Sequence, residues 1–271
     1  MIEKNFYKYQ SIGNDFIVFD WLKETPEAIK NTIKDNNYWS KFVQKICDRH
    51  FGIGSDGLLI LIKTNNHFEC LMFNPDGTNG QKCLNGIRCI AQYLMDSNQV
   101  NEKFQILMSG DLIDCQILEE KIQITINRTN YMESLEIPEL NLFGHVIDVG
   151  NPHFVINQTV TKEWLLNHGN EIENYPAFPD RTNVEFVWES ENKQSKIRTF
   201  NLFIHERGCG FTLACGSGAA ATVKTLQALK FIEPNEKIIL KMPGGFLETF
   251  IETSGKIIQL GNAEYVFQGK I

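Results

Sequence analysis

Features that would mark a membrane, nucleic-acid or cofactor-bound protein are missing from this sequence. No apolar run approaches the roughly 20 residues that a bilayer demands. The opening Met1-Ile-Glu-Lys-Asn-Phe-Tyr-Lys8 is polar and holds no secretory hydrophobic region. Basic residues are the minority, 26 Lys and Arg against 33 Asp and Glu, and the net charge of −7 argues against a binder of phosphate backbones. The expectation is a cytoplasmic protein with neither nucleic acid nor membrane as partner. No Cys-x-x-Cys pair occurs and no histidines cluster with the cysteines, so no structural metal is expected. No lysine stands in a pyridoxal-phosphate context, and there is no Walker loop. Gly52-x-Gly54-x-x-Gly57 fits a dinucleotide pattern, but it precedes a strand instead of opening a helix. No cofactor is expected.

What is present suits a soluble globular protein. A chain of 271 residues, 42% hydrophobic and 22% charged, can bury a sizeable core in one large domain or two lobes. Its seven cysteines are odd in number and are expected to be reduced. Phe6–Ile12 and Phe16–Phe19 predict strands interrupted by a turn at Gly13-Asn14-Asp15. Residues 26 to 48 predict a helix, with Pro26 in its first turn and Trp39, Phe42, Val43 and Ile46 on one face. Residues 104 to 126 predict a β-meander, and the polar run Asn127–Asn130 a lobe boundary. The second half repeats the order, with a strand broken at Gly150-Asn-Pro-His153, a helix near 161 to 169, strands over 183 to 188 and 197 to 204, and strands near 238 to 240 and 246 to 251. The expected architecture is α+β, with two pseudo-symmetric lobes, each a mostly antiparallel sheet around a central helix. The lobes run 1–127 and 128–271, with a last strand at about 262–271 packing back on the first.

Two cysteines occupy matching places in this repeat. Asn74 lies nine residues before Cys83, and Glu206 nine before Cys215; Gly86 and Gly218 each follow three later. Both cysteines lead into helical patterns. A helix start presents unpaired N–H groups and about half a positive charge, which favours a thiolate and binds a carboxylate. Asn85 and Gly86 on one side, and Gly216 and Ser217 on the other, are therefore candidates to hold an α-carboxylate while the two thiols exchange the α-proton, one as base and one as acid. That is the chemistry of a cofactor-independent amino-acid racemase or epimerase.

A lone cysteine is most often a small buried hydrophobe, and that reading is kept for Cys47, Cys70, Cys89, Cys115 and Cys209. His153 reads equally as a general acid/base partner or as a turn histidine. Glu206-Arg207 offers a carboxylate for an ammonium and a fork for a carboxylate, or else a solvated pair at a strand end. Asn14, Asn74, Asn151 and Asn183 all flank turn signals, and together they fit a zwitterion-binding site.

The ordered motifs resemble the diaminopimelate epimerase family nearly end to end. They include Gly13-Asn-Asp-Phe16, Asp48-Arg-His-Phe-Gly-Ile-Gly-Ser-Asp56, Cys83-x-Asn-Gly-Ile-Arg-Cys89, Gly150-Asn-Pro-His153, Arg181-Thr-Asn-Val-Glu-Phe186, Glu206-Arg-Gly208 with Ala214-Cys-Gly-Ser-Gly218, and Pro243-Gly-Gly245. The resemblance implies Cys83 and Cys215 as the acid/base pair, assisted by His153 and Glu206. It implies Asn14, Asn74, Asn151, Asn183 and Arg207 as substrate contacts, no cofactor, and a homodimer as a common assembly. The chain departs from the family pattern at Leu84 (glycine), Phe211 (glutamate), Cys209 (alanine) and His205 (tyrosine). Alternatives from the residues alone are a racemase of another amino acid and a non-catalytic amino-acid-binding or thiol-redox protein.

Overall fold

The computed structural model describes residues 5–24, 27–28, 36–64, 67–119, 121–191 and 196–271. The chain divides into two compact units, Met1–Ile124 with Asn262–Ile271, and Thr125–Gly261. Elements run in chain order as β1 (Asn5–Ser11), β2 (Asn14–Asp20), α1 (Asn36–Cys47), β3 (Leu58–Lys63), β4 (Phe68–Phe73), α2 (Leu84–Asp96), β5 (Lys103–Met108), β6 (Asp111–Leu118) and β7 (Lys121–Ile126), in which the division falls. The second unit continues with β8 (Asn130–Ile137), β9 (Leu142–Asp148), β10 (Pro152–Ile156), α3 (Lys162–Glu173), β11 (Asn183–Glu189), β12 (Arg198–Glu206), β13 (Gly210–Thr212), α4 (Gly216–Ala228), β14 (Ile238–Met242), β15 (Gly245–Ile251) and β16 (Ile257–Gly261). The chain then returns to the first unit as β17 (Glu264–Lys270). Of the stretch expected to be helical from 26, Pro26 and 29–35 lie outside the described residues.

The first unit pairs its strands in the order β17, β1, β2, β3, β4, β5, β6. The second follows the same scheme as β8, β9, β10, β11, β12, β14, β15, β16. In each, the third and fourth strands run parallel, as do the fifth and sixth, and the other ladder pairs are antiparallel. A parallel pair needs a long crossover, and those crossovers carry α1 and α2 in one unit and α3 and α4 in the other. β17 therefore holds in the first unit the position that β8 holds in the second.

Register makes the correspondence residue-specific. Ile17 faces Leu58 and Val18 faces Leu59 across β2 and β3, while Phe154 faces Val184 and Val155 faces Glu185 across β10 and β11. Aligning Gly13-Asn14 with Gly150-Asn151 makes Phe16 the counterpart of His153, and Leu59 the counterpart of Glu185.

Helices cover both faces of each sheet. α1 buries Trp39, Val43 and Ile46 against Phe6, Ile17, Phe19 and Ile60, a spacing of i, i+4 and i+7 that puts them on one stripe. In the second unit α3 contributes Leu165 and Ile172 to a core with Phe154, Val184 and Phe186; each such side chain contributes about 1.5–3 kcal/mol. α2 and α4 are buried almost all round. Ala219, Ala220 and Ala221 keep α4 thin, and Thr222 and Thr225 donate back to Gly218 O and Ala221 O, so their hydroxyls are satisfied within the helix.

Candidate active site

Each cysteine of the matched pair is the N-cap of its unit's central helix. Cys83 caps α2 with extended backbone (φ −123°, ψ 108°), and its Sγ accepts the Gly86 N–H at 3.3 Å. Cys215 caps α4 (φ −135°, ψ 119°) and accepts the Gly218 N–H at 3.4 Å. The glycine three positions on thus donates its amide to the thiol's sulfur, and the Gly86 N–H expected for a carboxylate is already engaged by Cys83. Leu84 is the first residue of α2, where ordinary helical backbone suits any side chain, and it is buried in the core. The glycine of the family pattern is not a backbone requirement here.

Around Cys83 the polar groups form a chain. The two-residue turn Ile12-Gly13, both at positive φ (54° and 81°), aims Asn14 inward. Asn14 Nδ2 donates to Asp56 Oδ2 at 2.8 Å, which leaves Oδ1 facing Cys83 Sγ at 3.7 Å and accepting from Asn85 Nδ2 at 3.5 Å. Asn85 Oδ1 accepts from Arg88 Nη1 at 2.7 Å. Arg88 is fully buried, and burial pulls its guanidinium down to about 10. Asp56 is itself held by Arg49, which bridges to Asp15, and Lys8 meets Asp15 at 2.5 Å. Burial pushes the Asp15 carboxyl up, but its hydrogen bonds to Arg49 and Lys8 win and hold it at about 2.

Around Cys215 the groups are acidic. Cys215 is buried and its Sγ lies 3.3 Å from Ser217 Oγ. Burial pushes this thiol well up, and the neighbouring Glu206 carboxylate adds to the shift. Burial likewise raises Glu206. Gln259 Nε2 donates to Gly216 O at 2.8 Å and steadies the helix start. His153 lies on β10, fully buried; its Nδ1 is 2.7 Å from Glu185 Oε1 and its Nε2 is 3.1 Å from Asn151 Oδ1. It is a strand residue facing a carboxylate, which departs from the turn-histidine reading.

The remaining candidates hold loops. Asn183 Oδ1 accepts the Arg207 N–H at 3.0 Å and its Nδ2 donates to Pro152 O at 2.8 Å, tying β11 to the start of β10 and to the turn after β12. Arg207 Nη1 donates to Asp180 O. Asn74 Nδ2 donates to Thr78 Oγ1 at 3.0 Å within its own turn. Glu173, at the end of α3, accepts from His205 Nε2, Arg181 Nη1 and Gly208 N, each at 2.9 Å, and so fixes the turn that follows Glu206. The Phe211 ring packs edge-on against Phe203, with Lys162 Nζ 5.0 Å above its centre.

Cys70, Cys89 and Cys115 are buried and pushed up by that burial, Cys115 to about 12; Cys47 is buried and pushed up to about 11. Cys209 is exposed. Among the described residues no group of three or more His, Cys, Asp and Glu side chains is arranged to hold a metal ion.

The family profile of diaminopimelate epimerase matches residues 6–132 and 145–266. The chain belongs to this family. The diaminopimelate epimerase of Prochlorococcus marinus strain NATL1A is 33% identical over 301 residues, covering 100% of this chain and 99% of that one. That of Carboxydothermus hydrogenoformans is 32% identical, covering 98% of each. Solved structures share the fold at low identity. A PhzF-family phenazine biosynthesis protein of Bacillus anthracis superposes with a TM-score of 0.72 at 12% identity, covering 100% of this chain and 99% of that one. A hydroxyproline epimerase of Agrobacterium vitis gives 0.71 at 10%, covering 99% and 92%.

Sequence reasoning missed Glu185, bonded to His153, and Arg88, bonded to Asn85. Both were open to one signal, a charge inside an otherwise apolar run (Val184-Glu-Phe186 and Ile87-Arg-Cys89).

Proposed function

We propose that the protein is a cytoplasmic, cofactor-independent epimerase that interconverts LL- and meso-diaminopimelate, on the route to lysine and peptidoglycan precursors. The observation that carries this reading is the equivalent N-cap placement of Cys83 and Cys215 in two units of one topology. Inverting an α-carbon requires removing its proton from one face and returning a proton to the other. One cysteine, as thiolate, takes the α-proton; the C–H electron pair moves toward the substrate carboxylate; the other cysteine, as thiol, delivers its proton to the opposite face. Helix-start amides, those of Asn85, Gly216 and Ser217 foremost, stabilise the charge on the carboxylate. Gly86 contributes by fixing Cys83. When Cys215 serves as base, Glu206 beside it receives the thiol's proton, a role suited to a carboxylate raised by burial. His153 assists as a second proton carrier. Asn14 orients Cys83, and Asn74, Asn151, Asn183 and Arg207 line the substrate, directly or by shaping the loops that do.

A second reading is racemisation of another amino acid, favoured by the Phe211 ring standing where the family pattern carries a glutamate. The test is exchange of the α-proton of LL-diaminopimelate with solvent deuterium, run beside a panel of free amino acids. Each of Cys83→Ala and Cys215→Ala is expected to lose at least about 10³-fold in turnover, within the range of general acid–base effects. If both keep wild-type turnover, the two-thiol mechanism fails.

A further inference from the structure

We infer that Glu185 is a positioning residue for His153, a buried carboxylate that fixes which imidazole nitrogen is free to exchange protons. The inference rests on the proposed acid/base role of His153 and goes beyond it by naming the group that sets its tautomer.

Glu185 faces Val155 across the β10/β11 ladder, two positions along from His153, so the alternation of strand side chains puts both on one sheet face. Both are fully buried, with Nδ1 2.7 Å from Oε1. An ionised carboxylate only accepts, so Nδ1 carries the hydrogen and Nε2 is left toward Asn151. An Asn151 amide can serve either state of Nε2, accepting from it when it is protonated and, turned over, donating to it when it is not.

The first unit supplies an internal control. Its counterparts of His153 and Glu185 are Phe16 and Leu59, both fully buried. The glycine at the start of each central helix faces the same slot. A Cβ on Gly86 would meet Leu59 Cδ2 at 3.3 Å, and one on Gly218 would meet Glu185 Oε1 at 2.6 Å. The fold therefore closes around an apolar pair at this register. Glu185 Oε2 is buried with no hydrogen-bond partner among the described residues, an arrangement that stability alone does not favour over an apolar pair. The polar pair is retained for what it does to the imidazole, and the carboxylate lies against the positive end of α4, beside the turn that holds Cys215.

The test combines long-range ¹⁵N correlation NMR of the imidazoles with kinetics and melting, on the full chain. Wild-type His153 is expected to show hydrogen on Nδ1. Glu185→Gln keeps an acceptor and is expected to keep that signature while losing the charge. Glu185→Leu is expected to release it, with kcat falling at least tenfold and KM changing less than threefold. The double variant Glu185→Leu with His153→Phe copies the first unit and is expected to melt at or above wild type while turnover collapses. The idea is overturned if wild-type His153 carries its hydrogen on Nε2 alone, or if Glu185→Leu keeps the wild-type tautomer and kcat. It is also overturned if the loss of kcat merely follows a lowered melting temperature with the tautomer unchanged. Should wild-type protein fail to exchange the α-proton of LL-diaminopimelate, the functional reading falls, and the tautomer measurement still decides what Glu185 does.

Discussion

At the scale of single residues, the Cys83 cluster is organised by amides that charged groups hold in place. Asp56 pins the Asn14 amide by its NH₂ end, which with the Asn85 donor turns Oδ1 toward sulfur. Asp56→Ala is therefore expected to lower turnover roughly tenfold, less than the roughly 10²–10⁴-fold that an acid–base group itself contributes, with deuterium exchange as the readout. Asp15 makes a separate, pH-dependent contribution. Its folded-state carboxyl is held at about 2, below its unfolded value near 4. The stability it provides is complete above about pH 4 and is lost as pH falls toward 2. The urea midpoint of the wild type is expected to drop across that window. Asp15→Asn is expected to be less stable at neutral pH and flatter between pH 4 and 2.

At the scale of elements, the glycine after each cysteine distinguishes the two helix starts. Gly86→Ala brings a methyl to 3.3 Å from a flexible leucine tip, whereas Gly218→Ala drives one to 2.6 Å from a carboxylate already bound to His153. Gly218→Ala is expected to lose more activity and more melting temperature than Gly86→Ala, by scanning calorimetry and turnover. The two helix starts were legible in the sequence because cap, glycine and apolar face lie within a few residues of one another. So were the Gly13-Asn14 and Gly150-Asn151 turns. The Glu185–His153 pair was not, since it depends on the register between strands thirty residues apart. β8 was also missed: its Asn130-Tyr-Met-Glu-Ser-Leu-Glu-Ile137 is a largely exposed edge strand, with little apolar alternation to read. α3 runs to Glu173, past the expected 169, because Glu173 at its carboxyl end is paid back by three donors from other segments. Such donors leave no local trace.

At the scale of the whole molecule, the first unit is closed by a strand from the far end of the chain. β17 pairs along β1, the Phe267 ring meets Phe6 edge-on at 5.9 Å, and Tyr265 meets Tyr9 at 5.6 Å. Deleting residues 262–271 is expected to strip hydrogen-exchange protection from β1 and β2 while leaving α4 protected, since α4 belongs to a unit complete without that segment. Thermal melting of the truncated chain is expected to begin in the first unit.

The same returning strand dictates an order of events at birth. When α2 has left the ribosome, the outer edge of β1 still lacks its neighbour, and the whole of Thr125–Gly261 must be translated before that neighbour exists. At about 5–20 residues per second, the wait is roughly 7–27 s. The half that is made first thus finishes folding second, and the half made second can mature while the first is still open.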